Sequence, residues 1–198
     1  MRPTRIRDLK MKRTVLNYLV IAALAVVAVL TSCGGGGGIG GSSWKIKMTT
    51  DYNDFFVILS GSGVATVDWG DGSEKITLTL PTHFSHTYPN NSIRTITING
   101  DNITKLHSNF ITSLDVSRCT ELTYIYTEQS RLTSLDVSKN KALTSLGFTT
   151  CQFTASALNA MFGTLHSNAG EKTIDLYGTS GAEDCDRSIA ERKGWTFR

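Results

Sequence analysis

Ile111-Thr112-Ser113-Leu114-Asp115-Val116-Ser117 returns as Leu132-Thr133-Ser134-Leu135-Asp136-Val137-Ser138, 21 residues later and with six of seven positions identical. Leu122-Thr123-Tyr124-Ile125 and Leu143-Thr144-Ser145-Leu146 keep the same interval. A period this short marks a solenoid, in which no repeat can bury its apolar face alone and neighbours stack to share a core. In such coils Leu114, Val116, Leu135 and Val137 point inward, while Asp115 and Asp136 point outward at adjacent rungs. Those two carboxylates are equivalent repeat positions, open to water and without a third group to orient a reaction, so they predict no acid–base chemistry. Ile103-Thr104-Lys105-Leu106 reads as a degenerate earlier coil.

The spacing L-x-x-L-x-L-x-x-(N/C) is met by Ile111, Leu114, Val116 and Cys119, and again by Leu132, Leu135, Val137 and Asn140. On these residues the stretch resembles the leucine-rich repeats of lipoproteins from Bacteroidetes-like bacteria. One departure is that the next leucine (Leu122, Leu143) falls one place late. The resemblance implies a short solenoid over 101–150, with Cys119 taking the inward ladder position that Asn140 takes one coil later. Tyr124 and Tyr126, with Arg131 close by in sequence, form the candidate binding surface, because exposed aromatics and arginine concentrate at hot spots.

Upstream, period-2 alternation begins at Trp44-Lys45-Ile46-Lys47-Met48, and further strand-like runs follow at Phe55 to Leu59, Val64 to Trp69, Lys75 to Leu80, Phe84 to Tyr88 and Ile93 to Ile98. Turn chemistry separates these runs, at Gly61-Ser62-Gly63, Gly70-Asp71-Gly72-Ser73 and Pro89-Asn90-Asn91. Short strands at this spacing predict an antiparallel sandwich. Val67-Asp68-Trp69-Gly70-Asp71-Gly72-Ser73 followed by His86-Thr87-Tyr88 resembles the signature of PKD-type domains, which implies an immunoglobulin-like sandwich over 44–100. The usual closing G-x-Y-x-V strand is replaced by Ser92 to Ile98. Asp68 and Asp71 read as caps of a tight turn. A calcium ion would want six to eight oxygens, and no ladder of acids surrounds the pair. His83 and His86, three apart on a strand, point to opposite faces and make poor joint metal ligands.

The first 33 residues have a different character. A basic segment ends at Arg13 and an apolar core runs from Val15 to Leu30, which is short for a spanning helix and suited to a signal peptide. Met11-Lys12-Arg13 would itself open such a segment, so Met1 and Met11 are both candidate starts. Leu30-Thr31-Ser32-Cys33 resembles the lipobox of bacterial lipoproteins, which implies diacylglycerol on Cys33 and cleavage before it. Residues 34–43, mostly glycine, make a flexible linker. Of 20 cations and 17 acids in the chain, six cations and one acid precede Cys33, leaving 14 against 16. The mature chain is therefore slightly acidic, with no basic cluster to neutralise phosphates, which argues against a nucleic-acid partner. Acidic residues tend to follow the cysteine in surface-exported lipoproteins of these bacteria. Here glycines, Ile39 and serines follow it, so surface and periplasmic placement both stay open.

After residue 150 the period changes. Leu158, Met161, Phe162 and Leu165 share a helical face behind Thr154 or Ser156 as N-cap. Thr173 to Gly178 reads as a strand, 184–193 as a second helix stopped by Gly194, and Trp195 to Phe197 as a closing strand. These make an α/β cap over 151–198. Cys119, Cys151 and Cys185 leave an odd thiol whichever pair is oxidised. Cys151 and Cys185 are the candidate bridge, although spacing alone does not select them.

The expectation is thus a mainly β chain: a PKD/immunoglobulin-like β-sandwich, then a short leucine-rich-repeat solenoid with an α/β cap. Residues 1–33 are signal peptide, 34–43 linker, 44–100 sandwich, 101–150 repeats and 151–198 cap. No nucleophile elbow, zinc-protease motif or P-loop occurs, and no cofactor or metal is expected. The expected function is that of a non-catalytic envelope protein, held on the outer membrane by lipid at Cys33, facing the periplasm or the exterior and binding a protein or glycan. The alternative is an accessory carbohydrate-binding lipoprotein of a glycan-uptake system, suggested by Trp44, Trp69 and Trp195 together with the tyrosines.

Overall fold

The computed structural model describes residues 44–198, so the expected leader (1–33), Cys33 and the 34–43 linker lie outside the described residues. The described chain is mainly β. Strands β1 (Ile46–Thr50), β2 (Asp54–Gly61), β3 (Val64–Asp68), β4 (Ile76–Thr79), β5 (Thr82–Thr87) and β6 (Arg94–Gly100) fall on the strand-like runs. Burial alternates along them: Ile46, Met48, Phe55, Val57, Leu59, Val67, Ile96 and Ile98 are each at most 2% exposed. A side-chain period of two sends alternate residues to opposite faces, and the fully buried set marks the core side.

Two sheets result. In the first, of five strands, β4-β3-β6-β1-β8 are all antiparallel, β8 being Ile111–Asp115. The second has seven strands in the order β12-β11-β10-β9-β7-β2-β5. Its new members are β7 (Ile103–Asn109), β9 (Tyr124–Glu128), β10 (Ser145–Thr149), β11 (Lys172–Asp175) and β12 (Trp195–Phe197). Here β2 is antiparallel to β5 and β7, whereas β7, β9, β10, β11 and β12 run parallel. The sheet changes sense at β7, where Leu106 faces Leu59 on one side and Ile125 on the other. The two sheets share an apolar core, in which Trp69 meets the ring of Phe84 edge-on at 5.6 Å.

Parallel neighbours need a long return, and the chain from β9 to β10 supplies it with a register of 21 residues, Tyr124 facing Ser145. The L-x-x-L spacing occurs twice in each coil, and the second occurrence makes the parallel strands: Leu122, Ile125, Thr127 and Ser130, then Leu143, Leu146, Phe148 and Cys151. The first occurrence lies on the return. There β8 pairs antiparallel with β1, and 132–136 forms no strand. Leu114, Val116, Leu135 and Val137 are buried as expected, and Asp115 and Asp136 are exposed.

Each coil is held at two corners. Before the parallel strands, Asp115 Oδ1 accepts from Ser117 N–H and Asp136 Oδ1 from Ser138 N–H, and the next turn closes by Cys119 N–H to Val116 O and Asn140 N–H to Val137 O. The same local turn recurs once more at Asp175–Thr179, after β11. Asn140 is fully buried and joins two coils, its Nδ2 donating to Val116 O (3.0 Å) and Cys119 O (2.7 Å). Beyond the strands, Phe110, Gln129 and Thr150 all adopt positive φ, at 51°, 51° and 52°. Their N–H groups donate to Glu128 O, Thr149 O and Tyr177 O of the following coil.

The C-terminal segment covers the last coil. Helix α1 (Ala155–Thr164) starts at Thr154, whose Oγ1 accepts from Ala157 N–H at 3.2 Å, and it buries Leu158, Met161 and Phe162. Lys193 Nζ donates to the terminal carbonyls Phe162 O and Gly163 O, where a cation suits the helix dipole. The second helix is shorter than the expected 184–193. Asp186 Oδ1 accepts from Ser188 N–H and Oγ–H, so α2 begins only at Ser188 and spans Ser188–Glu191, while 181–184 form turns. Trp195 of β12 is buried, with Nε1 donating to His166 O at 3.0 Å.

Because Asn140 satisfies two buried carbonyls, Asn140→Ala is expected to lower the unfolding free energy by about 2 kcal/mol. Urea denaturation of the two proteins measures the difference.

Candidate functional site

The outer face of the seven-stranded sheet gathers aromatic side chains. Ile125 and Thr127 of β9 are buried, so Tyr124 and Tyr126 between them both project outward. Their rings lie within 12° of parallel, with centroids 6.3 Å apart. Tyr126 lies across Gly147 of β10, where any Cβ would collide with ring atom Cδ2. Its hydroxyl donates to Thr149 Oγ1 at 2.8 Å. On the other side His107 of β7 meets Tyr126 edge-on at 4.7 Å, and Phe56 of β2 meets His107 at 5.3 Å. His107 Nε2 stands 3.6 Å from a Glu128 carboxylate oxygen, too long for a hydrogen bond. Burial, reinforced by the neighbouring Tyr126, raises the Tyr124 hydroxyl above its ordinary value.

Phe56 and His107 escape a reading along the chain. Their alternation places each on an outward face, but only the β2–β7–β9 pairing brings them beside Tyr126. Arg131 goes elsewhere. It pairs with Asp51 in the β1–β2 turn and stands 5.6 Å above the Tyr52 ring, which stacks on Phe110 at 4.4 Å. The Asp51 carboxylate holds the guanidinium above its ordinary pKa. The expected trio is thus divided: the tyrosines share the sheet face, and Arg131 ties a turn to a corner.

The 67–73 turn is built from its own polar groups. Asp68 Oδ1 accepts from Gly70 N–H (3.0 Å), and its Oδ2 meets Lys75 Nζ at 3.0 Å. Asp71 Oδ1 accepts from the Ser73 N–H and hydroxyl, and its Oδ2 lies 2.7 Å from His86 Nε2. His86 stacks on Trp69 at 4.5 Å, and the Tyr88 hydroxyl donates to Trp69 O at 2.9 Å. Burial, with Asp71 next in effect, pushes the Tyr88 hydroxyl up to about 12. Gly70 sits at φ 73°, and a Cβ there would run into Thr95 O. These contacts make the turn a structural clasp with its carboxylates already engaged. His83 projects from β5 to the other face, opposite Ile58.

The bridge between Cys151 and Cys185 is not formed. Cys151 Sγ faces inward on the corner, 3.3 Å from Thr127 Oγ1, whereas Cys185 Sγ donates to Ala182 O within the 181–185 turn. Cys119 Sγ donates to Ile103 O, and burial pushes its thiol up to about 12. Among the described residues no group of three or more acidic, His or Cys side chains is placed to hold a metal ion, and no helix is long and apolar enough to cross a membrane. Compared with protein-family models, curated proteins and solved structures, the chain matches none.

Two expectations follow. Gly147→Val displaces the Tyr126 ring and lowers stability by about 1–3 kcal/mol, with a changed near-UV circular dichroism of tyrosine. Ser73 holds the Asp71 carboxyl, and Gly70 and Lys75 the Asp68 carboxyl, below the ordinary value. That stability is present above the unfolded carboxylate pKa of about 3.9 and is lost as pH falls towards the folded values. Denaturation midpoints should therefore drop from about pH 5 to pH 2, and Asp71→Asn should flatten part of the slope.

Proposed function

We propose that the chain is a non-catalytic, lipid-anchored protein of a bacterial cell envelope that binds a protein or a glycan through its aromatic sheet face. Its architecture is then a PKD/immunoglobulin-like sandwich continued by a short leucine-rich-repeat solenoid. The 21-residue register between β9 and β10 and the Asn140 bonds between coils support the solenoid, and the Asp68–Asp71–His86–Tyr88 clasp supports the sandwich. The lipobox at Leu30 to Cys33 supports the anchor. The observation that carries the binding reading is the parallel Tyr124–Tyr126 pair on a partly exposed face, with the Tyr126 ring over Gly147. Asp115, Asp136 and Asp175 are engaged in their own turns, so the repeated carboxylates serve structure rather than chemistry.

The accessory carbohydrate-binding alternative then rests on the tyrosines of the expected set and not on its tryptophans. Trp69 and Trp195 are 3% and 1% exposed, and Trp44 lies under Arg118 with the guanidinium 4.4 Å from the ring centre. Tryptophan therefore does not supply the platform, and the tyrosines do.

Metabolic labelling with a palmitate analogue and detergent phase partitioning test the anchor. The wild-type chain is expected to take up label and enter the detergent phase, and Cys33→Ala to do neither. Label retained by Cys33→Ala would overturn the assignment. For binding, Tyr124→Ala combined with Tyr126→Ala is expected to reduce capture of envelope components at least tenfold while the cooperative melt is retained at a lower temperature.

A further inference from the structure

The chemistry of the aromatic face discriminates among ligands. Phe56, His107 and Tyr126 form an edge-to-face row across β2, β7 and β9, and Tyr124 extends it along β9. The central ring is already immobilised. Gly147 lets the edge of the Tyr126 ring close over its Cα and Thr149 accepts from its hydroxyl, so little side-chain freedom is lost when something settles on it. The charges beside the row carry no surplus of cations, since Asp175 also lies close to Tyr124. Lys105 faces Tyr124 on one strand edge, and Glu128 stands against His107 on the other.

Such a sparsely charged surface does not retain an anionic polymer, which needs a surplus of cations to release its counterions. A stable protein partner wants roughly 800 Å² with a dry apolar centre. Here the rings alternate with hydroxyl-bearing neighbours in the same plane, Ser145 facing Tyr124 and Thr149 bonded to Tyr126. Sugar rings have the complementary build: a flat patch of slightly positive C–H bonds on one face and hydroxyls around the rim. The face of an aromatic ring is electron-rich and attracts such a patch, while flanking hydroxyls exchange hydrogen bonds with the rim.

We propose that the Phe56–His107–Tyr126 row, with Tyr124, is a binding site for a neutral polysaccharide chain lying across β2, β7 and β9, in which sugar stacks on the parallel Tyr124–Tyr126 pair while His107 and Phe56, each edge-on to its neighbour, border it. This rests on the binding reading above and narrows its ligand to uncharged sugar. The row spans strands from both sides of the sense change at β7, so neither the antiparallel nor the parallel part completes the site by itself.

Native affinity electrophoresis of the full chain tests it, using gels containing laminarin, xylan, glucomannan or amylose, with dextran sulfate as the anionic arm. At least one neutral polysaccharide is expected to slow the wild-type chain. Phe56→Ala and Tyr126→Ala should each weaken that retardation at least tenfold. Tyr177→Ala removes a tyrosine that is 75% exposed outside the row and should leave it unchanged. Should Tyr126→Ala lose its cooperative melt, Tyr124→Ala provides the same reading from a ring that no glycine supports. Retardation by dextran sulfate alone, by no gel, or equally for wild type and the row variants would overturn the proposal. If no gel retards the chain while the paired tyrosine variant still loses capture of an envelope protein, the sugar assignment falls and the binding reading stands.

Discussion

The backbone ladder on the two edges of β7 is the constraint on which the rest depends. One edge bonds antiparallel to β2 and the other parallel to β9. Antiparallel pairs alternate close and wide hydrogen-bond rings, whereas parallel pairs space them evenly on a slant, so one strand here satisfies both geometries. Leu106, fully buried between Leu59 and Ile125, keeps the inward side chains in phase through the change. A slip of one residue at β7 would turn the inward side chains of every later coil towards water. The apolar core therefore continues from the antiparallel part into the parallel part through β7 in one sheet and through β8, paired with β1, in the other.

Stacking parallel strands then imposes a local cost at each return. Phe110, Gln129 and Thr150 hold the left-handed conformation, which costs a residue with a Cβ about 1–2 kcal/mol. The offset lies in the bonds that this conformation permits, since each N–H reaches a carbonyl of the following coil. At the last position of the column, Gly178 (φ 64°) takes the place without that penalty, with Thr150 Cγ2 packed where its Cβ would be. On the opposite corner Asn140 performs the same service for buried carbonyls of the preceding coil. Corners of this type tie each parallel strand segment to its neighbour.

The same frame makes the aromatic face rigid. Rings that stand on a hydrogen-bonded sheet inherit its spacing, and Gly147 beneath Tyr126 removes the one side chain that would prop the ring away from the surface. The 67–73 clasp, by contrast, spends its aromatic and acidic groups internally. Trp69, His86 and Tyr88 pack against one another, and Asp71 closes the turn. Chemically conspicuous residues in the antiparallel part thus stabilise the fold, while plainer ones on β2, β7 and β9 face solvent.

Local patterns settled much of this by themselves. Alternation placed strands such as β1 and β3 and their buried side, because a strand with one apolar face has one way to bury it, whereas the wholly apolar 55–59 run of β2 marked a strand without choosing its side. The face of Leu158, Met161 and Phe162 behind Thr154 placed α1 for the same reason, and the doubled Leu-Asp-Val motif marked the turns of the coils. Two local readings required correction by equally local physics: the Asx turn at Asp186 shortened the second helix, and the second L-x-x-L spacing at 122 and 143, not the first, formed the parallel strands. Tertiary structure alone decided which strands are neighbours. Hydrogen-bond partners in a sheet are chosen across the whole chain, and no periodicity records that β7 lies between β2 and β9. That choice brought Phe56 and His107 to Tyr126, and sent Arg131 to Asp51.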